Sequence, residues 1–160
     1  MGCDIHLYIE HKDPRYPGWE CFGRRIFPDR DYNMFAAMAG VRNYDDVAPV
    51  SMPKGIPEGI SWQVNDDNTL FVSDESSDCE GYCSKEKAKE WAQRGISKKV
   101  GEYRVTHPDW HSHSWLNTGE YEKALNSVSV YDSEYKVILV VMKEFEKLGE
   151  EVRIVFWFDN

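Results

Sequence analysis

The stretch Cys3-Asp4-Ile5-His6-Leu7-Tyr8-Ile9-Glu10 alternates without exception between apolar and polar side chains. Residues two apart on an extended backbone share a face, so Cys3, Ile5, Leu7 and Ile9 form a core side, and Asp4, His6, Tyr8 and Glu10 line the other. A strand is therefore predicted. Beyond it, residues 11–18 (HKDPRYPG) carry two prolines and a glycine, the chemistry of a turn, and Trp19 to Phe22 read as a short returning strand. Near the other terminus, residues 152–158 (VRIVFWF) are apolar at almost every position, which predicts a strand covered on both sides. A central strand that arrives so late requires the preceding chain to assemble around it.

The intervening chain supplies the helices. Residues 28–40 read as one, capped by Asp29 or Asp31, striped by Tyr32, Phe35, Ala36 and Ala39, and stopped by Gly40. Ser84 caps a charged helix to Arg94, and a third runs from about Thr118 to Asn126. Tyr135, Ile138, Leu139, Met142 and Phe145 recur at helical spacing before Gly149, although Val137, Val140 and Val141 favour a strand. Residues 41–61 hold Pro49, Pro53, Pro57, Gly55 and Gly59, so a long ordered loop of the lid or binding type is expected. Short strands are predicted near residues 69–73 and 103–106.

These elements predict an α+β fold, one compact domain over residues 1–160 with residues 66–99 as a variable insertion. Its sheet is mostly antiparallel, with the first and last strands central and the helices at 30–39 and 134–148 packed on one face. The opposite face carries Asp4, His6, Tyr8 and Glu10, covered by the His111–His113 segment and the proline-rich loop.

Composition bounds the function. The 28 acidic and 19 basic side chains leave a net charge of −9, a field that repels phosphate and excludes nonspecific nucleic-acid binding. Aromatic content is 14%, with six Trp and nine Tyr, which suits a homo-oligomer interface and a buried core equally. No apolar run is long enough to cross a membrane. The first residues lack a signal peptide's basic region and apolar stretch, and a myristoylation motif would want Ser or Thr where His6 stands. Four scattered cysteines do not make a secreted disulfide framework, so a reduced, cytoplasmic protein is expected. Cys79 and Cys83 have a spacing that zinc allows, but no second pair completes the ligand set.

Two segments carry candidate chemistry. Asp4 and His6 lie on one side of a strand, about 6.6 Å apart, where carboxylate and imidazole can share a metal ion or a water. His111 and His113, flanked by Asp109, Trp110 and Trp115, repeat the pattern. Together Asp4, His6, His111 and His113 resemble the ligand set of a metal-dependent hydrolase, with a divalent cation as cofactor and the three histidines as proton carriers. A wet sheet face and a surface loop of satisfied histidines are the plainer alternatives. Arg30 and Arg42 suit a phosphate or carboxylate, or simply the chain's own acids. Next to Arg42, Asn43 and Tyr44 add an amide and a stacking ring for a nucleobase, and Tyr8, Trp110 and Trp115 are further ligand-binding candidates.

The blocks Met1-Gly2-Cys3-Asp4-Ile5-His6, Arg30-Asp31-Tyr32-Asn33-Met34-Phe35 with Ala39-Gly40-Val41-Arg42-Asn43, His111-Ser112-His113-Ser114-Trp115-Leu116 and the final VRIVFWFDN resemble a family of small bacteriophage and prophage proteins. The resemblance implies a setting, the host cytoplasm, and no established mechanism. By analogy with that setting, the expected ligand is a nucleotide-like small molecule such as a cyclic nucleotide that signals infection. Hydrolysis of that molecule, its sequestration without turnover, and direct inhibition of a host defence protein are the three functions left open.

Overall fold

The computed structural model describes residues 2–160. In chain order its elements are β1 (Ile5–Lys12), β2 (Glu20–Cys21), α1 (Tyr32–Ala39), α2 (Trp62–Asn68), β3 (Thr69–Val72), β4 (Tyr82–Cys83), α3 (Lys85–Gln93), β5 (Lys99–Val100), β6 (Arg104–Thr106), β7 (His111–Asn117), α4 (Thr118–Ser127), α5 (Ser133–Lys147) and β8 (Glu151–Phe158). The fold is α+β, and its contacts divide the chain into two units. One comprises the residues up to Ser61 together with His111–Asn160, the other Trp62–Trp110. The insertion expected at 66–99 falls within the second.

The first unit is built on an antiparallel sheet in the order β2-β1-β8-β7, so the first and last strands are central. β1 and β8 pair along their whole length, from Ile5 opposite Phe158 to Lys12 opposite Glu151. That register places Ile5, Leu7 and Ile9 beside Phe158, Phe156 and Ile154 on one face. Against them pack Met34, Phe35 and Met38 of α1, Tyr121 and Ala124 of α4, and Tyr135, Ile138 and Met142 of α5. Each large apolar side chain buried here contributes about 1.5–3 kcal/mol. Cys3 joins the same cluster, fully buried, and burial pushes its thiol pKa up.

α1 begins where Asp31 accepts the Met34 N–H at 3.0 Å and ends at Gly40, whose φ of 71° lets its N–H return to the Ala36 carbonyl. All six residues from Met34 to Ala39 are buried rather than a single stripe. α4 lies on one side of the helix, and the Val50 N–H bonds the Ala37 carbonyl on another. In α5 the helical spacing prevails over the valines: Val137 and Val140 are simply exposed.

The other sheet face is covered: His6, Tyr8 and Glu10 are all buried, which sets aside the wet-face alternative. β8 sets Trp157, Val155 and Arg153 directly beside them. One part of the expected cover is corrected, since the His111–His113 segment does not lie over the sheet; it lies in β7, the edge strand hydrogen-bonded to β8.

The proline-rich loop is ordered by its own bonds. Asn43 clamps it through both the N–H and the carbonyl of Val47. The Lys54 N–H bonds Ser114 Oγ and the Gly55 N–H bonds the His113 carbonyl, which fastens the loop along the free edge of β7. Further on, the Ser61 N–H reaches Glu10 Oε1 at 2.6 Å.

The second unit has a small sheet in the order β4-β3-β6-β5, with β3 and β4 parallel and the other pairs antiparallel. Leu70, Cys83, Ala88 and Val105 form its core. The helix predicted from Ser84 is present as α3, with Ser84 Oγ accepting the Lys87 N–H. α2 was not legible in the sequence. Its residues, WQVNDDN, bury only Val64 and Asn68, so no apolar period marks it.

Candidate functional site

β1, β8 and β7 carry a row of rings across the second face of the first unit's sheet. Trp157 of β8 stacks on His6 of β1 at 5.5 Å between centroids and on His113 of β7 at 5.5 Å, with Tyr8 against it at 5.1 Å. Cross-strand neighbours on one face stand close enough for such contacts. The two predicted segments thus meet at a single indole. The strand bearing Trp157 lies between the two imidazoles, so they flank it.

His111 is elsewhere. β7 carries an irregularity in which His111 pairs with Phe158 but Ser114 pairs with Phe156, three steps against two. Ser112 sits at the centre with φ 54°, the bulge conformation. The extra residue turns His111 to the helix-bearing face, stacked on Phe158 with its Nδ1 on Ser112 Oγ, while His113 stays with Trp157. The His-x-His spacing would have put both on one face of a regular strand.

From His6 a chain of polar contacts leads outward. His6 Nε2 lies 2.8 Å from Asp159 Oδ2, and Asp159 Oδ1 accepts the Asp4 N–H at 3.1 Å. The Asp159 N–H returns the bond to the Asp4 carbonyl. Asp4 in turn receives Arg30 through both carboxylate oxygens, Nε to Oδ1 and Nη2 to Oδ2 at 2.9 Å. This two-pronged pairing holds the Asp4 carboxyl below its ordinary pKa and keeps Arg30 above its own. Gly2 makes the arrangement possible: a Cβ there would stand 2.1 Å from Arg30 Nη1.

Arg30 also lines a concavity of about 640 Å³ where the chain enters α1 and α5. Its walls include Tyr32, Tyr44, Tyr131 and Asn33, with Asp29, Asp31, Asp45 and Asp132. Two of the acids are helix caps. Asp31 serves α1, and Asp132 serves α5 through the Glu134 N–H while its second oxygen takes the Asp29 N–H. Arg42 stands alongside, bonded to Asn160 Oδ1 at 2.9 Å and to Tyr44 Oη at 3.5 Å.

The remaining predicted residues are dispersed. Asn43 is spent on its loop clamp, and Trp115 lies under the Lys54 ammonium at 4.0 Å. Trp110 belongs to the second unit, stacked on His107. The proposed metal set does not fit a divalent cation. Asp4 presents both oxygens to Arg30, His6 is bonded to Asp159, and His111 lies on the far face from His113. Among the described residues no three His, Cys, Asp or Glu side chains are grouped to hold a metal ion.

Several groups of the site escaped the sequence. Glu10 meets Arg153 directly across the strands, Nε to Oε2 at 2.8 Å, and Arg153 also reaches the Glu58 carbonyl and lies 3.9 Å over Trp19. Tyr131 and Asp132 precede α5 as Arg30 and Asp31 precede α1, and that repeated cap was the available signal. No family model, curated protein or solved structure matches the chain.

Proposed function

We propose that this protein binds a nucleotide-like small molecule in the tyrosine-lined concavity and holds it without turnover. The observation that carries the reading is the lining itself: Tyr32, Tyr44 and Tyr131 with Asn33 and Arg30 around a volume of about 640 Å³. That volume falls in the range of ordinary small-molecule sites. Tyr32, Tyr44 and Tyr131 supply stacking surface for a base, Asn33 an edge to read it, and the aspartates acceptors for exocyclic amines and ribose hydroxyls. Arg30, fixed by Asp4, is the cation for a single phosphate. In the phage setting that the sequence resemblance implies, such binding amounts to sequestering a signalling nucleotide of the host.

Sequestration is favoured over metal-assisted hydrolysis because Asp4 and His6 are already satisfied by Arg30 and Asp159. One observation favours the second reading, His-assisted hydrolysis: the His6–Asp159 contact has the geometry of an imidazole oriented by a carboxylate. Titration with nucleoside monophosphates and cyclic dinucleotides, then denaturation and chromatography of the released ligand, separates the two. Intact ligand is the expected result. Converted ligand transfers the role to hydrolysis, and absence of binding across the series overturns both.

A further inference from the structure

The charge of the concavity says which nucleotide-like ligands it accepts. We infer that the site, read as above, selects a nucleoside whose ring carries a positive charge, seated among Tyr32, Tyr44 and Tyr131 with Asp29 and Asp45 as counter-ions.

The rings come first. Tyr32 and Tyr44 meet edge to face, with centroids 6.0 Å apart and planes at 68°. Tyr44 is largely exposed and Tyr131 is 95% exposed, both on the rim of the same concavity. The face of an aromatic ring is negative, so a set of rings turned at angles to one another favours a cation over a neutral ring of the same outline.

The charges decide the sign. Asp4 already answers Arg30 through both oxygens, so its guanidinium adds little net positive field to the cavity. Asp31 and Asp132 are engaged at the α1 and α5 N-termini. Those termini would otherwise attract a phosphate, and their own caps now occupy them. Asp29 and Asp45 remain. Asp29 uses its N–H and carbonyl in hydrogen bonds, but neither its carboxylate nor that of Asp45 makes a hydrogen bond or ion pair among the described residues. Arg42, bonded to Tyr44 Oη beside the concavity and to the neutral Asn160 amide, offsets one of these two carboxylates. The remaining charge facing the ligand is negative, which disfavours a polyphosphate and favours a pyridinium or N-alkylated base.

The test compares two probes that differ in charge but little in outline: nicotinamide riboside, whose pyridinium ring is cationic, and its neutral 1,4-dihydro form. Calorimetric titration of the full chain is expected to give at least about tenfold tighter binding of the cation, a difference of about 1.4 kcal/mol. The preference is expected to vanish in the Asp29→Asn/Asp45→Asn double variant, whose folding is retained because neither carboxylate holds a structural partner. Equal affinity for the two forms overturns the charge inference and leaves the concavity as a nucleoside site. A preference that persists unchanged in the double variant overturns the role of the two aspartates. If neither form binds while nucleoside monophosphates with uncharged bases do, the inference fails and the reading of the site stands; if none of these binds, both fail.

Discussion

His6 and Asp159, 153 residues apart in sequence, meet with Nε2 and Oδ2 at 2.8 Å, and the second oxygen of Asp159 holds the Asp4 backbone at 3.1 Å. Through Asp4 the contact is continuous with Arg30 on the wall of the concavity. The buried ring row and the proposed binding surface are therefore mechanically connected through three side chains.

Replacing Asp159 by Ala removes the carboxylate beside His6 Nε2 and the acceptor of the Asp4 N–H together. A loss of about 1–3 kcal/mol is expected, the usual cost of stranding buried polar groups. Urea unfolding of the two proteins measures it. A loss below about 0.5 kcal/mol would mean that water replaces the carboxylate without penalty.

Gly2→Ala places a methyl group where Arg30 lies. The guanidinium is expected to leave Asp4, weakening a phosphate-bearing ligand by about tenfold, or ~1.4 kcal/mol, with little change in melting temperature. Calorimetry checks the affinity, and an unchanged value would remove Arg30 from the binding account.

Acid should weaken the Asp4–Arg30 clamp. The folded-state pKa of Asp4 lies below the ordinary 3.8, so its stabilising contribution is complete above that value and disappears as pH falls through the lower one. Asp4→Asn is expected to flatten part of the decline in stability below about pH 4. Because both partners are substantially exposed, the effect is small, and chemical denaturation across that window is the measurement. Identical acid limbs in the two proteins would show that the pair contributes nothing.

Glu10 and Arg153 form a buried cross-strand pair whose carboxylate also holds the Ser61 N–H. Glu10→Ala is expected to cost about 3–5 kcal/mol, since Arg153 is left charged and buried; replacing both by apolar residues of similar volume should cost less than either single change. Denaturation of the three variants gives the comparison. Additive losses would contradict the coupling.

Much of the fold was legible in the chain. The alternation from Cys3 to Glu10 and the apolar run of 152–158 named the two central strands, and Gly40 and Gly149 marked helix ends. The burial of His6, Tyr8 and Glu10 was legible only through residues 152–158, whose apolar run asks for cover on both faces; the alternation of the first strand by itself reports that two faces differ, not that the polar one is dry. Only the register with β8 reveals that His6 faces Trp157 and Glu10 faces Arg153. The His111 and His113 pattern misled for a local reason, since a bulge at Ser112 reverses one side chain and leaves no mark in composition. The concavity depends on α1 and α5 beginning side by side. Asp31 and Asp132 could be read as caps, but their proximity is a property of the packed helices.

The most direct test of the account is the affinity of a nucleoside monophosphate for the Tyr44→Ala/Tyr131→Ala double variant, since both rings are exposed and their removal spares the core. Loss of a stacked base typically costs about 1–3 kcal/mol per contact, so the account predicts a fall of at least about tenfold with an unchanged melting temperature. Wild-type affinity in that variant would contradict it, because the ligand would then lie somewhere other than the tyrosine-lined concavity.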